Sequence, residues 1–234
     1  MKRIALVGLS LSAYLAAHTA SAALLVNHTA GLKLLAGADV WSTPSNIPFG
    51  YSGPGFAGNG GGVGYGAMPY YELRLIKFVG VEAGINYEHG SFHRNVSVNA
   101  VDFRETITLN SWRLPILAKL NIPMGVGRFW LGVGPEFTLA QSSSGKVERV
   151  SDGSSAGSIS TRDVKPTYVT GGLGLVIELP FIGIEIPIEL RASNNLSQPD
   201  NYADRVALSS SALYSVRAES SWVYRLGAGL GIQF

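Results

Sequence analysis

The chain contains no cysteine, which removes a disulfide framework, a thiolate metal site and a cysteine nucleophile together. Charge is scarce. Only 15% of the 234 residues are charged while 46% are hydrophobic, a balance that excludes intrinsic disorder and long ion-laced helices. Beyond the N-terminal segment no uncharged apolar run reaches the length of a helical membrane span, and 29 glycines and 11 prolines break up what runs there are. A basic excess is missing as well. Setting aside Lys2 and Arg3, the 18 Lys and Arg fall to 16 against 16 Asp and Glu, so no nucleic-acid-binding surface is indicated.

Lys2 and Arg3 precede an apolar run from Ile4 to Ala17, and Ala20-Ser21-Ala22 follows as a small-x-small cleavage pattern. The run is about 14 residues, short of the roughly 20 that cross a bilayer as a helix. Residues 1–22 therefore read as a cleaved Sec signal peptide, and 23–234 as one exported domain.

What the chain does have is strict alternation. Val79, Val81, Ala83, Ile85 and Tyr87 occupy one parity, and Gly80, Glu82, Gly84, Asn86 and Glu88 the other. Seven more segments repeat it, with apolar positions starting at Leu32, Val63, Trp112, Phe129, Val169, Ile184 and Trp222. Each is about 10 to 14 residues, enough at about 3.3 Å per residue and a tilt near 40° to span a hydrocarbon layer of about 25 Å. Connections alternate too. Those near 76–78, 122–127 and 180–183 are short, whereas 42–62, 89–104, 141–165 and 196–220 are long. The pattern predicts an all-β, eight-stranded, antiparallel, up-and-down transmembrane β-barrel, apolar parity toward lipid and both termini at the periplasmic rim. Aromatics near strand ends, such as Trp41, Tyr71, Tyr87, Trp112, Phe137, Trp222 and Tyr224, fit rings seated at headgroup level.

The ending Tyr224-Arg225-Leu226-Gly227-Ala228-Gly229-Leu230-Gly231-Ile232-Gln233-Phe234 resembles the last strand of bacterial outer-membrane barrels. Ser111 to Lys119 and Trp130 to Pro135 are similar to paired strands of the porin-like outer-membrane β-barrel domain family, and the likeness covers essentially all of 23–234. The resemblance implies a monomer in a Gram-negative outer membrane, touching the bilayer and lipopolysaccharide, with Phe234 as the signal read by the barrel-assembly machinery.

An eight-stranded lumen is just wide enough for side chains to fill. The inward parity would place there Lys33, Asp39, Glu72, Arg74, Glu82, Glu88, Arg113, Lys119, Glu136, Glu178, Glu185, Glu189, Arg191 and Arg225. Enclosed charges need partners, so this set reads as a structural plug or, alternatively, as the lining of a narrow water or ion path. Glu185 and Glu189 are about 13 Å apart on a strand, too far to share a proton. His89-Gly90-Ser91 beside Glu88 hints at the His-x-Ser pair of lipid A deacylases. It leaves the third strand, however, and Arg191-Ala192-Ser193-Asn194-Asn195, faintly similar to that family's site, lacks its His. His89 and His93 lack further metal ligands, the Gly50 to Gly66 stretch has no phosphate-loop lysine, and Ser142 to Ser160 reads as an exposed, mobile loop. No cofactor, metal or catalytic residue is expected. The expected role is a structural anchor or loop-presenting surface or adhesion protein, with a narrow pore and a lipid A-modifying hydrolase as alternatives.

Overall fold

Alternating segments of this length can satisfy their backbone only by pairing with one another, and in lipid the ring must close. In the computed structural model it does. Described are residues 26–41, 60–75, 78–98, 101–160, 165–179, 181–197, 204–207, 213–216 and 222–234; the expected signal peptide lies outside them. The strands are β1 (Val26–Trp41), β2 (Gly60–Leu75), β3 (Val79–Gly84), β4 (Asn86–Val98), β5 (Val101–Met124), β6 (Gly127–Arg149), β7 (Ser155–Ser160), β8 (Thr167–Leu179), β9 (Ile184–Asn195), β10 (Asp204–Ala207), β11 (Leu213–Val216) and β12 (Trp222–Gln233). β3 and β4 form one staggered strand broken at Ile85, whose N–H donates to Pro69 O at 3.0 Å.

Eight such strands pair antiparallel with their sequence neighbours, and β1 meets β12 from Thr29↔Gln233 to Val40↔Trp222 to close the ring. A closed ring has no free edge. His28 and Phe234 exchange backbone hydrogen bonds at 3.2 and 2.9 Å, and Gln233 N–H donates to Gly183 O at 2.8 Å. Both barrel ends therefore share a rim with the turn 181–183, where Gly183 takes the left-handed backbone (φ 64°) that a tight turn requires.

The strands are longer than expected, 12 to 24 residues in the main ladders. Residues 89–98 and 101–104, expected as a loop, continue β4 and β5, and 142–149 with 155–160 form β6 and β7 rather than a mobile segment. Residues 60–66 of the glycine-rich stretch belong to β2, while 42–59 lie outside the described residues. Part of 196–220 forms the β10–β11 hairpin, which lies against β7.

The physical reason is a change of solvent along one strand. On β5 the inward positions are buried from Phe103 to Asn121 without a break. The outward positions are Trp112, Leu114, Ile116, Ala118, Leu120 and Ile122 below, but Asp102, Arg104, Thr106, Thr108 and Asn110 above. Inward, Phe103, Ile107 and Leu109 add apolar bulk around one buried carboxylate, Glu105. Below Trp112 the sheet is dressed for lipid outside; above it, for water outside and a small apolar core beneath. From Trp112 to Ile122 the apolar band is about 25 Å tall at about 3.3 Å per residue and a tilt near 40°. The outward rings agree: Tyr65, Trp112, Phe137, Trp222 and Tyr224 stand toward the long hairpins, and Tyr71, Phe78, Phe181 and Phe234 toward the short turns, with aliphatic residues between.

The narrow lumen uses glycine where rings cross it. A methyl on Gly231 would stand 2.4 Å from the Tyr70 hydroxyl and 2.8 Å from Thr29 Cγ2. Gly231→Ala is expected to cost about 1–3 kcal/mol as overpacking. Denaturant unfolding of the double variant with Tyr70→Phe, which removes that hydroxyl, should recover part of the loss; strict additivity would contradict the contact.

Candidate functional site

Besides Glu105, which is buried on the inward parity above Trp112, the charged residues that face the lumen are all fourteen of the expected set together with Arg128. They stack in three layers. Nearest the short turns, Arg74 reaches Glu185 at 2.7 Å and Glu178 at 3.2 Å. Arg128 binds Glu185 at 2.9 Å, Glu72 at 3.3 Å, and Glu178. In the middle, Glu82 is the hub: Lys33 donates to it at 2.8 Å, Lys119 at 2.9 Å and Arg191 at 2.5 Å. Glu189 takes Lys33 at 2.7 Å and Arg191 at 2.7 Å, and Glu72 takes Lys119 at 2.6 Å. In the upper layer Arg225 grips Glu88 through two nitrogens and Glu136 at 2.8 and 3.0 Å, while Arg113 lies 3.4 Å from both carboxylates. Thr170 and Ser193 donate to Glu136 Oε2, which also takes one Arg225 nitrogen, at 2.8 and 3.2 Å.

Sequence alternation also hid what fills the space between these charges. Lys33 Nζ sits 4.3 Å from the Tyr70 ring centre, Lys119 Nζ 4.1 Å from that of Trp130, and the Arg113 guanidinium 4.7 Å from that of Tyr168. In low dielectric each ring face adds an attraction that a carboxylate alone does not. Leu117 and Val176 pack with Trp130, and Leu35 and Met68 with Tyr70. Arg128 is legible by carrying the parity of Trp130 and Gly132 one step back, just before the expected strand start at Phe129, since β6 begins at Gly127. The inward rings carried no signal, because outward and inward aromatics differ only in parity.

Glu185 and Glu189 serve different layers and share no cation. His89 and Ser91 both face outward on β4 as alternate residues of one strand, but they form no His–Ser pair among the described residues. His89 Nδ1 instead lies 2.8 Å from Asn110 Oδ1, its ring against Tyr65. Ser193 is turned into the lumen and committed to Glu136, Thr170 and Arg225. His93 meets Thr106 at 3.2 Å, and no cluster of three metal-ligating side chains occurs among the described residues. At the short-turn rim a recess of about 870 Å³ opens to Arg74, Arg128 and Glu178, whose side chain is 32% exposed, with Val126, Phe181 and Ile182 around its mouth.

A closed ring with an aliphatic exterior, two aromatic girdles and an ion-paired interior is a transmembrane β-barrel of eight strands. No protein-family profile matches the chain, and no curated protein sequence does. Among solved structures it is similar to Ail, the attachment invasion locus protein of Yersinia pestis (13% identity, 88% of this chain and 98% of that one, TM-score 0.40). It is also similar to the outer membrane protein OprG from Pseudomonas aeruginosa (12% identity, 90% and 96%, TM-score 0.46) and to Neisserial surface protein A (11%, 88% and 97%, TM-score 0.35).

Proposed function

We propose that the protein is a monomeric outer-membrane anchor: a plugged barrel that holds a water-facing β-sheet outside the cell as an adhesive or docking surface. One observation carries this reading. Side chains from all eight wall strands interlock across the lumen into one ion-paired, ring-packed filling, from Arg74 and Arg128 at one end to Arg113 and Arg225 at the other. Such a filling stiffens a wall and obstructs a path. Above Trp112, β4 to β7 continue as a sheet with a polar outer face, the part of the molecule best placed to meet another surface.

Export by a cleaved signal peptide, lipopolysaccharide as a neighbour, and Phe234 as the mark read by the assembly machinery belong to the same proposal. Phe234 ends the strand that closes the ring, its ring stacked 5.8 Å from that of His28. Reconstituted into planar bilayers, the unmodified protein is expected to show no steady single-channel conductance. Reproducible steps would favour the narrow pore instead, and acyl-chain release from lipopolysaccharide that is lost in Ser91→Ala would favour the hydrolase.

A further inference from the structure

The three layers do not balance equally. The lowest sets Arg74 and Arg128 against Glu178 and Glu185, and the middle sets Lys33, Lys119 and Arg191 against Glu72, Glu82 and Glu189. Both are neutral. The upper layer has two cations, Arg113 and Arg225, but three carboxylates, Glu88, Glu136 and Asp39. The two arginines are taken up by the two glutamates. Asp39 Oδ1 is buried with no hydrogen-bond partner among the described residues. It lines a cavity of about 20 Å³ together with Glu88, Ser111 and Arg113, with Leu109 and Val223 also on its wall. A space of that size holds one water-sized particle, and with Arg113 and Arg225 shared among three carboxylates the layer's odd negative charge in low dielectric calls for one more positive charge.

We infer that this cavity is a binding site for a single small monovalent cation, held between Asp39 and Glu88: a dehydrated sodium ion or a hydronium. Sodium matches the space and the hard oxygen donors; a hydronium supplies the same charge and can pass its proton to Asp39. The groups facing Asp39 are Glu88 from β4, Arg113 from β5, Glu136 from β6 and Arg225 from β12. β2 contributes Gly64, and the His89 ring turns away onto Tyr65 and Asn110. The proposal deepens the plug reading and rests on it, since a wide wet lumen would screen the odd charge.

The test is the unfolding midpoint of the full protein in lipid nanodiscs, at constant ionic strength, in sodium chloride against N-methyl-D-glucamine chloride, each from about pH 5 to 8. Sodium binding raises the midpoint by several degrees with saturation at fixed pH. Hydronium binding makes the midpoint rise as pH falls, whatever the salt. Asp39→Asn, or Asp39→Ser if the first variant does not fold, should erase the dependence, and the exposed Asp152→Asn should leave it intact. A wild-type midpoint indifferent to both variables overturns the site, as does a dependence that survives loss of Asp39. Conductance of the same preparation separates this failure from failure of the plug reading itself.

Discussion

Glu82→Gln is expected to destabilise the protein by about 3–5 kcal/mol, the cost of breaking a buried ionic contact from one side. Glu82 is 1% exposed and receives three cations, Lys33, Lys119 and Arg191. Glutamine keeps the shape but leaves those three facing only Glu72 and Glu189. The comparison is Glu148→Gln, which breaks the exposed 2.7 Å pair with Lys146 and should cost less than about 1 kcal/mol. Urea unfolding in vesicles of both variants gives the two numbers; equal values would mean that water screens the interior as well as the surface.

Leu34→Arg is the second large effect. Leu34 is 65% exposed, lies mid-strand opposite Ala67 and Ala228, and faces outward between the two aromatic girdles. An arginine at this depth should cost about 2–4 kcal/mol. Thr108→Arg, on the outward parity of β5 but above Trp112, should leave stability nearly unchanged, because its neighbours there are water and polar side chains. The same folding assay reads both. A similar cost at both positions would remove the boundary at Trp112.

That boundary also explains which parts of the fold were legible in the sequence. Strand number, wall parity and the placement of short turns follow from alternation, since a one-residue slip would turn the lipid-facing aliphatic residues inward and the lumen charges outward. The upper reaches were hidden because alternation was taken to end wherever its apolar outward half ended. Phe103, Ile107 and Leu109 alternate with Arg104, Thr106 and Thr108 with the phase reversed, interrupted by the buried Glu105, because the outer solvent there is water. The lumen charges could be named one by one from parity. Their partners could not, because a cross-barrel pair such as Arg225 with Glu88 depends on how eight tilted strands register around the ring. Tyr70, Trp130 and Tyr168 were missed because aromatic residues suit a girdle and a narrow lumen alike.

The most direct measurement uses the absence of cysteine from the chain, which allows a nitroxide to be placed singly at outward positions of β5 from Arg104 to Ile122. Accessibility to dissolved oxygen against a water-soluble nickel chelate then reports which solvent each position meets. The account expects chelate to dominate through Asn110, oxygen to dominate from Trp112 onward, and intervening inward positions to be shielded from both. Uniform access to the chelate along the whole outward face would contradict it.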